Sequence, residues 1–382
     1  MSTVTSLGVL PRLSIDLERR LFNVRNRILS DVRFQRWASR FPLTRGVARR
    51  RARSVFDLCA GFVYSQIVYA VVELGVLEAL RGGARTADDL AVELGIPEAS
   101  ASRLLDAATS LKLVQRHHGS YGLGIHGAAM VGNDSVLALV KHHALLYRDL
   151  SDPVQLLRAT RPETETQRFW TYAANDPRTQ AEKDVGPYSD LMAASLCLIA
   201  EDILDAYDVR AHRRLLDVGG GSGAFLTAAA SVAPDLALVL FDLPGVADLG
   251  RAQLAREGLG PRSTVVGGDV FRTPLPKGAD LISLVRVIHD HDDAAALHIL
   301  QRAHDALQPG GCVLLAEPMA DTLCSVAASH AYFGFYLLAL GQGRARTLEQ
   351  LSGLLARAGF ERVSERPTGR PMLTRVVVGR RS

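Results

Sequence analysis

The segment LLDVGGGSGAFL, at Leu215–Leu226, restricts the possible fold more than any other part of the chain. A short apolar run leads into a cluster of glycines, and a helix-forming run follows it. Glycine adopts backbone conformations that other residues avoid, and it lets a ligand approach the main chain closely. A strand, a glycine turn and a helix in this order are typical of the first unit of a nucleotide-binding α/β domain.

Short β-rich runs alternate with helical runs over the whole C-terminal half of the chain. This alternation predicts an α/β domain with a mainly parallel, doubly wound sheet that helices cover on both faces. Pro367 and Gly369 separate the last two runs, which predicts an antiparallel C-terminal hairpin at one edge. The predicted strands are residues 214–218, 236–241, 263–267, 280–287, 312–316, 360–365 and 372–378.

The N-terminal half is mostly helical in its periodicity. Thr86–Val114 predicts two helices around a turn at Gly95–Pro97, and two short strands near Lys112–Leu123 complete a winged-helix pattern. DNA-binding regulators share this pattern, so a regulator that senses a small molecule is a competing class of function. We expect three parts, namely a basic arm at residues 1–54, a helical, winged-helix-like domain at 55–185 and a cofactor-binding domain at 186–382.

Positive charge is concentrated in the predicted arm. Residues 1–54 contain 13 arginines, no lysine and 3 acidic residues, whereas the rest of the chain is mildly acidic. A basic arm of this kind suits nucleic acid, an anionic membrane surface or a protein partner, and a solvated amphipathic helix is an equally good interpretation.

Two features predict a cytoplasmic protein. No N-terminal stretch resembles a signal peptide, and the apolar run Cys59–Leu80 contains Ser65, Gln66 and Glu73, which disfavour a membrane span. The cysteine spacings match neither a metal motif nor a disulfide framework, which favours reduced, buried thiols. The cysteines are Cys59, Cys197, Cys312 and Cys324.

Carboxylates follow the second and third strands of the predicted sheet. Asp242 ends the second strand, where it can accept hydrogen bonds from both hydroxyls of a ribose. Asp269 follows the third strand and can accept from an adenine amino group, with Val270 or Phe271 against the ring. These positions predict a cofactor that contains a nucleoside.

Asp217 distinguishes between two cofactors of this kind. Gly219, Gly221 and Ala224 also satisfy the dinucleotide fingerprint. A carboxylate directly before the loop would repel a pyrophosphate, however, and it suits the ammonium group of a methionine moiety. We therefore predict S-adenosyl-L-methionine, with a dinucleotide or a glycine turn without a ligand as the alternatives.

The fourth strand leads into Arg286–Asp293, which reads RVIHDHDD. His289 lies at the carboxyl end of the sheet, where it can accept a proton from a substrate hydroxyl as the oxygen attacks a methyl group. Glu317, at the end of the fifth strand, is placed to hold the tautomer of that imidazole. The segment therefore predicts methyl transfer to a hydroxyl.

Other interpretations of this segment stay open. His289 could be a buried histidine without chemistry. His289 and His291, which strand alternation would place on one face, could also join neighbouring carboxylates in a metal site, but no further ligand cluster is evident and no metal is expected. Asp292 is expected to cap the following helix, and Asp293 to favour its dipole.

The motifs VGGGSG, FDLPGV, GGDVF, RVIHDHDD, PGG and AEP together resemble the caffeate and acetylserotonin O-methyltransferase family. The resemblance implies a class I methyltransferase, Rossmann-like domain that follows an N-terminal dimerisation domain of winged-helix shape. It also implies a homodimer and no nucleic-acid partner.

By motif position, the resemblance makes His289 the general base and Glu317 one of two glutamates that flank it. Ala345 occupies the position of the second glutamate, so Asp290 is expected to supply part of that support. The residues expected to hold S-adenosyl-L-methionine are Asp217, Gly219, Gly221, Asp242, Leu243, Asp269, Val270, Phe271 and Arg286.

A narrower resemblance, carried by residues 33–66, by RVIHDHDD and by AYFGFYLLALGQGRART, is to bacterial hydroxyneurosporene (demethylspheroidene) O-methyltransferases of carotenoid biosynthesis. It implies a lipophilic substrate, the tertiary 1-hydroxyl of an acyclic carotenoid. Phenolic, polyketide and tetrapyrrole substrates are the alternatives. The aromatic segments 332–340 and 188–196 are candidate pocket walls or plain core.

A carotenoid substrate would stay in the lipid phase. The arm, with Phe22, Phe34, Trp37 and Phe41 among its arginines, is therefore a candidate peripheral contact with the inner membrane.

Overall fold

The computed structural model describes residues 10–160, 163–169, 196, 199–322 and 327–382. The chain divides into two compact units, Met1–Ala70 and Val71–Ser382. The division into an arm, a helical domain and a cofactor-binding domain at residues 54 and 185 stays a prediction.

Helices make up the described part of the first unit. They are Leu10–Ser30, Val32–Arg40 and most of Arg45–Glu73. The Asp31 carboxylate caps the second helix by accepting from the Phe34 N–H at 2.8 Å, and the Phe41 N–H ends it by donating to the Trp37 carbonyl at 3.0 Å. Cys59, which was expected to be buried, is exposed; Cys312 is half-buried, and Cys197 and Cys324 lie outside the described residues.

Arg45–Glu73 is, among the described helices, the one long and apolar enough to cross a membrane by length and composition. Many of its large apolar side chains are exposed in the isolated chain, including Phe56, Leu58 and Phe62. Exposed apolar side chains in such a row are typical of a surface that lipid or another protein covers.

The second unit begins with the predicted winged helix. Thr86 caps helix Ala87–Leu94 by accepting from the Asp89 N–H at 3.2 Å, and Gly95 ends it with a φ of +65°. Helix Glu98–Ser110 follows, and the antiparallel strands β1 (Val114–His117) and β2 (Ser120–Leu123) form the wing. The predicted pattern is confirmed. Further helices of the described residues before the sheet include Val76–Ala79, Ile125–Met130, Asp134–Asp149, Pro153–Leu157 and Glu165–Phe169, and residues 199–206 are also helical.

A seven-stranded sheet forms the centre of this unit, in the order β5-β4-β3-β6-β7-β9-β8. The first five strands in this order are parallel, and β9 runs antiparallel between β7 and β8. The predicted doubly wound sheet with a C-terminal antiparallel hairpin is confirmed. The strands are β3 (Arg214–Val218), β4 (Ala237–Asp242), β5 (Ser263–Gly267), β6 (Ala279–Val285), β7 (Leu307–Glu317), β8 (Glu361–Arg366) and β9 (Arg375–Arg380).

Apolar side chains on alternate positions of the strands build a core on each face of the sheet. On one face, Leu216 packs in a cluster with Ile299 and Leu354; on the other, Leu215 packs in a cluster with Phe225. Both faces are buried, which explains the near-continuous apolar runs of the central strands. The helices that follow the strands are Ala224–Val232, Pro244–Arg256, Asp293–Ala306, Gly334–Leu340 and Leu348–Arg357.

The strand order reverses between β3 and β6, and this reversal positions the site. From β3 the chain continues to β4 and β5 on one side, and from β6 it continues to β7 on the other. Parallel sheets of this type bind ligands in the crevice beyond the carboxyl ends of the strands at such a reversal. The candidate residues predicted from the sequence lie at or just after those strand ends.

Candidate active site

The loop after β3 depends on glycine for its backbone conformation. Gly219 and Gly221 have φ values of +70° and +58°, in the region that favours glycine. A Cβ atom on Gly219 would lie 2.8 Å from a methyl of Val287, so a side chain does not fit there. The Gly219 N–H donates to the Phe241 carbonyl at 2.8 Å, which ties the loop to β4.

Asp217 is buried at the end of β3, beneath this loop. Its Oδ1 accepts from the Ser283 hydroxyl at 2.6 Å, and its Oδ2 has no hydrogen-bond partner among the described residues. Burial raises the pKa of Asp217 to about 7; the Ser283 hydrogen bond opposes this rise and the charge of Asp242 adds to it. A buried carboxylate oxygen without a donor is costly, and an ammonium group would satisfy it.

The Asp242 carboxylate is also buried, and it organises the loop. Its Oδ2 accepts from the Gly221 N–H at 2.8 Å and its Oδ1 from the Leu243 N–H at 2.7 Å. A carboxylate has about four acceptor positions, so Asp242 can still accept from ribose hydroxyls. The residues present therefore fit the methionine and ribose parts of S-adenosylmethionine.

The predicted adenine residues lie after β5. The Asp269 Oδ1 accepts from the Phe271 N–H at 2.8 Å, and its Oδ2 lies 3.5 Å from the Arg272 guanidinium. Val270 is half-buried against the core, whereas the Phe271 ring is 40% exposed and meets His291 edge to face. An exposed ring beside a carboxylate suits stacking on a base.

β6 ends at Val285, two residues before the predicted end. Arg286 then takes a φ of +58°, which costs a non-glycine residue about 1–2 kcal/mol. A single 3₁₀ turn, Ile288–Asp290, carries His289. The expectation that strand alternation places His289 and His291 on one face was therefore wrong, because the strand stops before either histidine.

Glu317, at the end of β7, holds this turn in place. Its Oε1 accepts from the Val287 N–H at 3.0 Å and from the Ile288 N–H at 2.7 Å. Its Oε2 lies 2.5 Å from His289 Nδ1. Because carboxylates accept and do not donate, this contact places the proton of a neutral imidazole on Nδ1 and leaves Nε2 as the basic nitrogen.

Asp290 lies on the opposite side of the imidazole, with its Oδ1 3.1 Å from His289 Nε2. Burial alone would lower the pKa of His289, but the charges of Asp290 and Glu317 outweigh burial and raise it. Burial likewise raises the pKa of Asp290 to about 6, although the charge of His289 opposes the rise. The Asp290 carboxylate thus favours a second proton on Nε2, which gives the imidazolium, and its support of His289 as a base stays a prediction.

Arg346 is a site residue that the sequence did not reveal. Its side chain is almost fully buried, and it donates to the Ile288 carbonyl at 2.7 Å, to the His291 carbonyl at 2.6 Å and to Asp293 at 2.9 Å. The Arg344 N–H donates to the His289 carbonyl at 2.8 Å. The segment that contains Ala345 therefore supports the His289 turn through its neighbours.

Asp292 takes the predicted N-cap position of helix Asp293–Ala306, but its side chain does not bond the first turn of that helix. Its Oδ1 instead accepts from the Gly343 N–H at 3.3 Å. The capping role was therefore wrong for the side chain, because the carboxylate is bonded to the Gly343 N–H and not to the first turn of the helix.

Two histidine–tyrosine pairs join helix Asp134–Asp149 to the aromatic segment. The Tyr336 hydroxyl lies 3.0 Å from His142 Nε2, and the Tyr332 hydroxyl lies 2.9 Å from His143 Nε2. Burial raises the pKa of Tyr332 to about 12, and it raises the pKa of Tyr336 further. The charge of Arg286 lowers the pKa of both tyrosines, so the pairs adjoin the site.

No sequence pattern indicates His142 or His143 as site residues. Of the second aromatic segment, Tyr188, Leu191 and Met192 lie outside the described residues. No three His, Cys, Asp or Glu side chains within the described ranges come together as a metal site.

The sheet order, the glycine loop and the two buried aspartates define the class of S-adenosylmethionine-dependent methyltransferases with a Rossmann-like domain. The family described as the O-methyltransferase domain matches residues 147–361, and the O-methyltransferase dimerisation domain matches residues 56–132. The chain belongs to the O-methyltransferase family, and it is an S-adenosylmethionine-dependent enzyme. The dimerisation domain supports a homodimer, and the exposed apolar residues after residue 55 are of the kind found at such interfaces.

Curated relatives and solved structures agree with this assignment. The chain is 41% identical, over 92% of its length and 93% of the relative, to a demethylspheroidene O-methyltransferase of Cereibacter sphaeroides. It is 38% identical, over 94% of its length and 90% of the relative, to the enzyme of that name from Rhodobacter capsulatus. Human N-acetylserotonin methyltransferase in complex with SAM shares the fold, with a TM-score of 0.73, 24% identity and coverage of 87% of this chain and 98% of that chain.

The raised pKa of Asp217 makes cofactor affinity depend on pH. The charged carboxylate binds an ammonium group and the neutral acid does not, so affinity falls as pH drops below about 7. We expect the dissociation constant of S-adenosylmethionine, measured by calorimetry, to rise roughly tenfold between pH 7.5 and pH 6. The Asp217→Asn variant should bind weakly at both pH values; an equal pH dependence in this variant would contradict the assignment.

The backbone of Gly343 lies against the His289 turn. With a φ of +83°, an added Cβ would lie 2.3 Å from the His289 carbonyl oxygen and 2.7 Å from the Asp290 carbonyl carbon. We expect Gly343→Ala to lower both the melting temperature and kcat, since backbone atoms cannot move aside cheaply. Gly353→Ala, on an open helix surface, is the matched control and should keep activity with an equal or higher melting temperature. Full activity of Gly343→Ala would refute this account of the turn.

Proposed function

We propose that His289 is the general base for methyl transfer to a substrate hydroxyl. The contact between His289 Nδ1 and the buried Glu317 carboxylate carries this proposal, because it leaves Nε2 to accept the proton. S-adenosylmethionine, held by Asp217, Asp242 and the glycine loop, supplies an electrophilic methyl group. Glu317 stabilises the imidazolium that forms when His289 takes the proton.

Asp290 determines when Nε2 is available. In the described structure this carboxylate lies against Nε2, so the substrate hydroxyl must take its place there. His289 is buried and the Asp290 side chain is 14% exposed. The negative charges of Asp290 and Glu317 raise the pKa of His289 and so favour its protonated form. A bound cation near this cluster would lower the pKa of His289. It would therefore favour the neutral imidazole, which is the form that accepts a proton.

The proposed substrate is an acyclic carotenoid with a tertiary 1-hydroxyl. Its support is the 41% and 38% identity to two demethylspheroidene O-methyltransferases, each over more than nine tenths of this chain. The Tyr332 and Tyr336 hydroxyls are bonded to histidines, and their rings pack against the apolar cluster of Leu146, Leu156 and Ala339. A tertiary alcohol is weakly acidic, so proton removal should accompany attack and placement should dominate catalysis.

A phenolic substrate is the second candidate, because an acetylserotonin O-methyltransferase of mouse is 32% identical over 84% of this chain. We also propose a cytoplasmic location at the surface of the inner membrane, since a carotenoid partitions into lipid. A DNA-binding role is disfavoured, because it would not require the contact between His289 and Glu317.

His289→Ala separates chemistry from cofactor binding. We expect the rate of methyl transfer from labelled S-adenosylmethionine to fall at least about a hundredfold, with cofactor affinity nearly unchanged. Asp242→Ala should instead weaken cofactor binding, and the exposed His117→Ala is the control that should change neither. A His289→Ala enzyme with near-normal turnover would rule out the proposed base.

Substrate class is tested by product analysis. We expect a hydroxylated acyclic carotenoid, presented in detergent, to gain one methyl group by mass spectrometry, and a simple phenol or a tetrapyrrole to react far more slowly. Preferential methylation of the phenol would establish the second candidate instead.

A further inference from the structure

A cleft of about 520 Å³ opens on the first unit, outside the catalytic domain. Helix Val32–Arg40 and the residues after it form its walls. The lining residues are Arg33, Arg36, Trp37, Arg40, Phe41 and Pro42.

Three arginines form one wall of this cleft. Arg33, Arg36 and Arg40 are spaced by three and four residues, so they lie along one side of the helix. In the part of the chain that the structure describes, none of the three forms an ion pair with a carboxylate. The row is therefore an uncompensated positive surface that suits anionic oxygens.

Stacked aromatic rings form the other wall. The rings of Trp37 and Phe41 stack at 4.9 Å between centroids, and Phe34 lies 5.7 Å from Trp37. Trp37 is 51% exposed and Phe41 38% exposed, although large aromatic side chains are usually buried in a core. Exposed tryptophan beside arginine is the composition of a helix that lies at a lipid–water boundary.

We propose that this arginine–aromatic cleft docks the enzyme on an anionic lipid bilayer, with the arginines on lipid phosphates and the Trp37 and Phe41 rings among the acyl chains. The cleft is the surface that would contact the membrane. This inference rests on the proposed function in one respect only: a carotenoid substrate gives the enzyme a reason to bind lipid. The preceding helix extends the surface, because Leu17, Leu21 and Phe22 are also exposed.

Two other occupants fit the cleft less well. A second copy of the chain would bring its own arginine row into a like-charged region, and the dimerisation domain begins only at residue 56, after the cleft. RNA would neutralise the arginines but would leave the exposed aliphatic side chains of the arm in water.

The first experiment follows Trp37 directly. The chain has two tryptophans, so the Trp170→Phe variant of the full-length protein leaves Trp37 as the single fluorophore. We expect a blue shift of its emission with vesicles of phosphatidylcholine containing one quarter phosphatidylglycerol, and quenching by brominated acyl chains. Vesicles of phosphatidylcholine alone should give little change, and high salt should weaken the binding.

Matched variants then separate the cleft from general charge. An arginine near an anionic surface contributes roughly fivefold in binding, so Arg33→Gln/Arg36→Gln/Arg40→Gln should lose about a hundredfold in vesicle co-sedimentation. Arg49→Gln/Arg50→Gln/Arg51→Gln removes the same charge from the next helix and should lose much less. Trp37→Ser/Phe41→Ser keeps the charge and should still lose at least about tenfold.

Three results would overturn the proposal: no binding to the anionic vesicles, equal losses in the two arginine variants, or tighter binding to single-stranded RNA than to vesicles. The vesicle assay contains no carotenoid and no methyl transfer, so its failure leaves the proposed function standing. Failure to methylate a carotenoid in detergent, with vesicle binding intact, would overturn the substrate alone.

Discussion

The buried carboxylate of Glu317 is the group on which the active site depends. It accepts two backbone N–H groups of the turn after β6 and contacts His289 Nδ1. One side chain therefore fixes the path of the main chain, the orientation of the imidazole and its tautomer. Losing Glu317 would leave three donors without an acceptor, two of them buried, which costs far more than one hydrogen bond.

The sheet makes this arrangement possible. β6 and β7 are parallel neighbours, so the end of β7 places Glu317 beside the residues that leave β6. On the other side of the strand reversal, Asp217 lies one residue before the end of β3, and Asp242 ends β4. The cofactor residues and the proposed base thus come from opposite sides of one crevice. Arg346 stabilises the turn that carries His289 by donating to the Ile288 and His291 carbonyls.

The residues that follow strand ends were the most predictable from the sequence. A β-rich run, a glycine cluster and an isolated carboxylate are local signals, so Asp217, Asp242 and His289 could be assigned to one edge of a sheet. Arg346 could not be assigned to the site, because the sequence does not distinguish a buried arginine that bonds backbone carbonyls from an exposed one. His142 and His143 pair with tyrosines almost two hundred residues away, and no local pattern reports such contacts. The early end of β6 depends on the left-handed conformation of Arg286, which is unusual for arginine.

The most direct test of the account is a titration of the ring nitrogens of His289 by ¹⁵N NMR, in the wild type and in Glu317→Gln, with His289→Gln used to assign the signals. The account predicts that the neutral ring of the wild type carries its proton on Nδ1. It also predicts that Glu317→Gln lowers the pKa of His289, because a charge that favours the imidazolium is removed. A proton on Nε2 in the wild type, or an unchanged pKa in the variant, would contradict it.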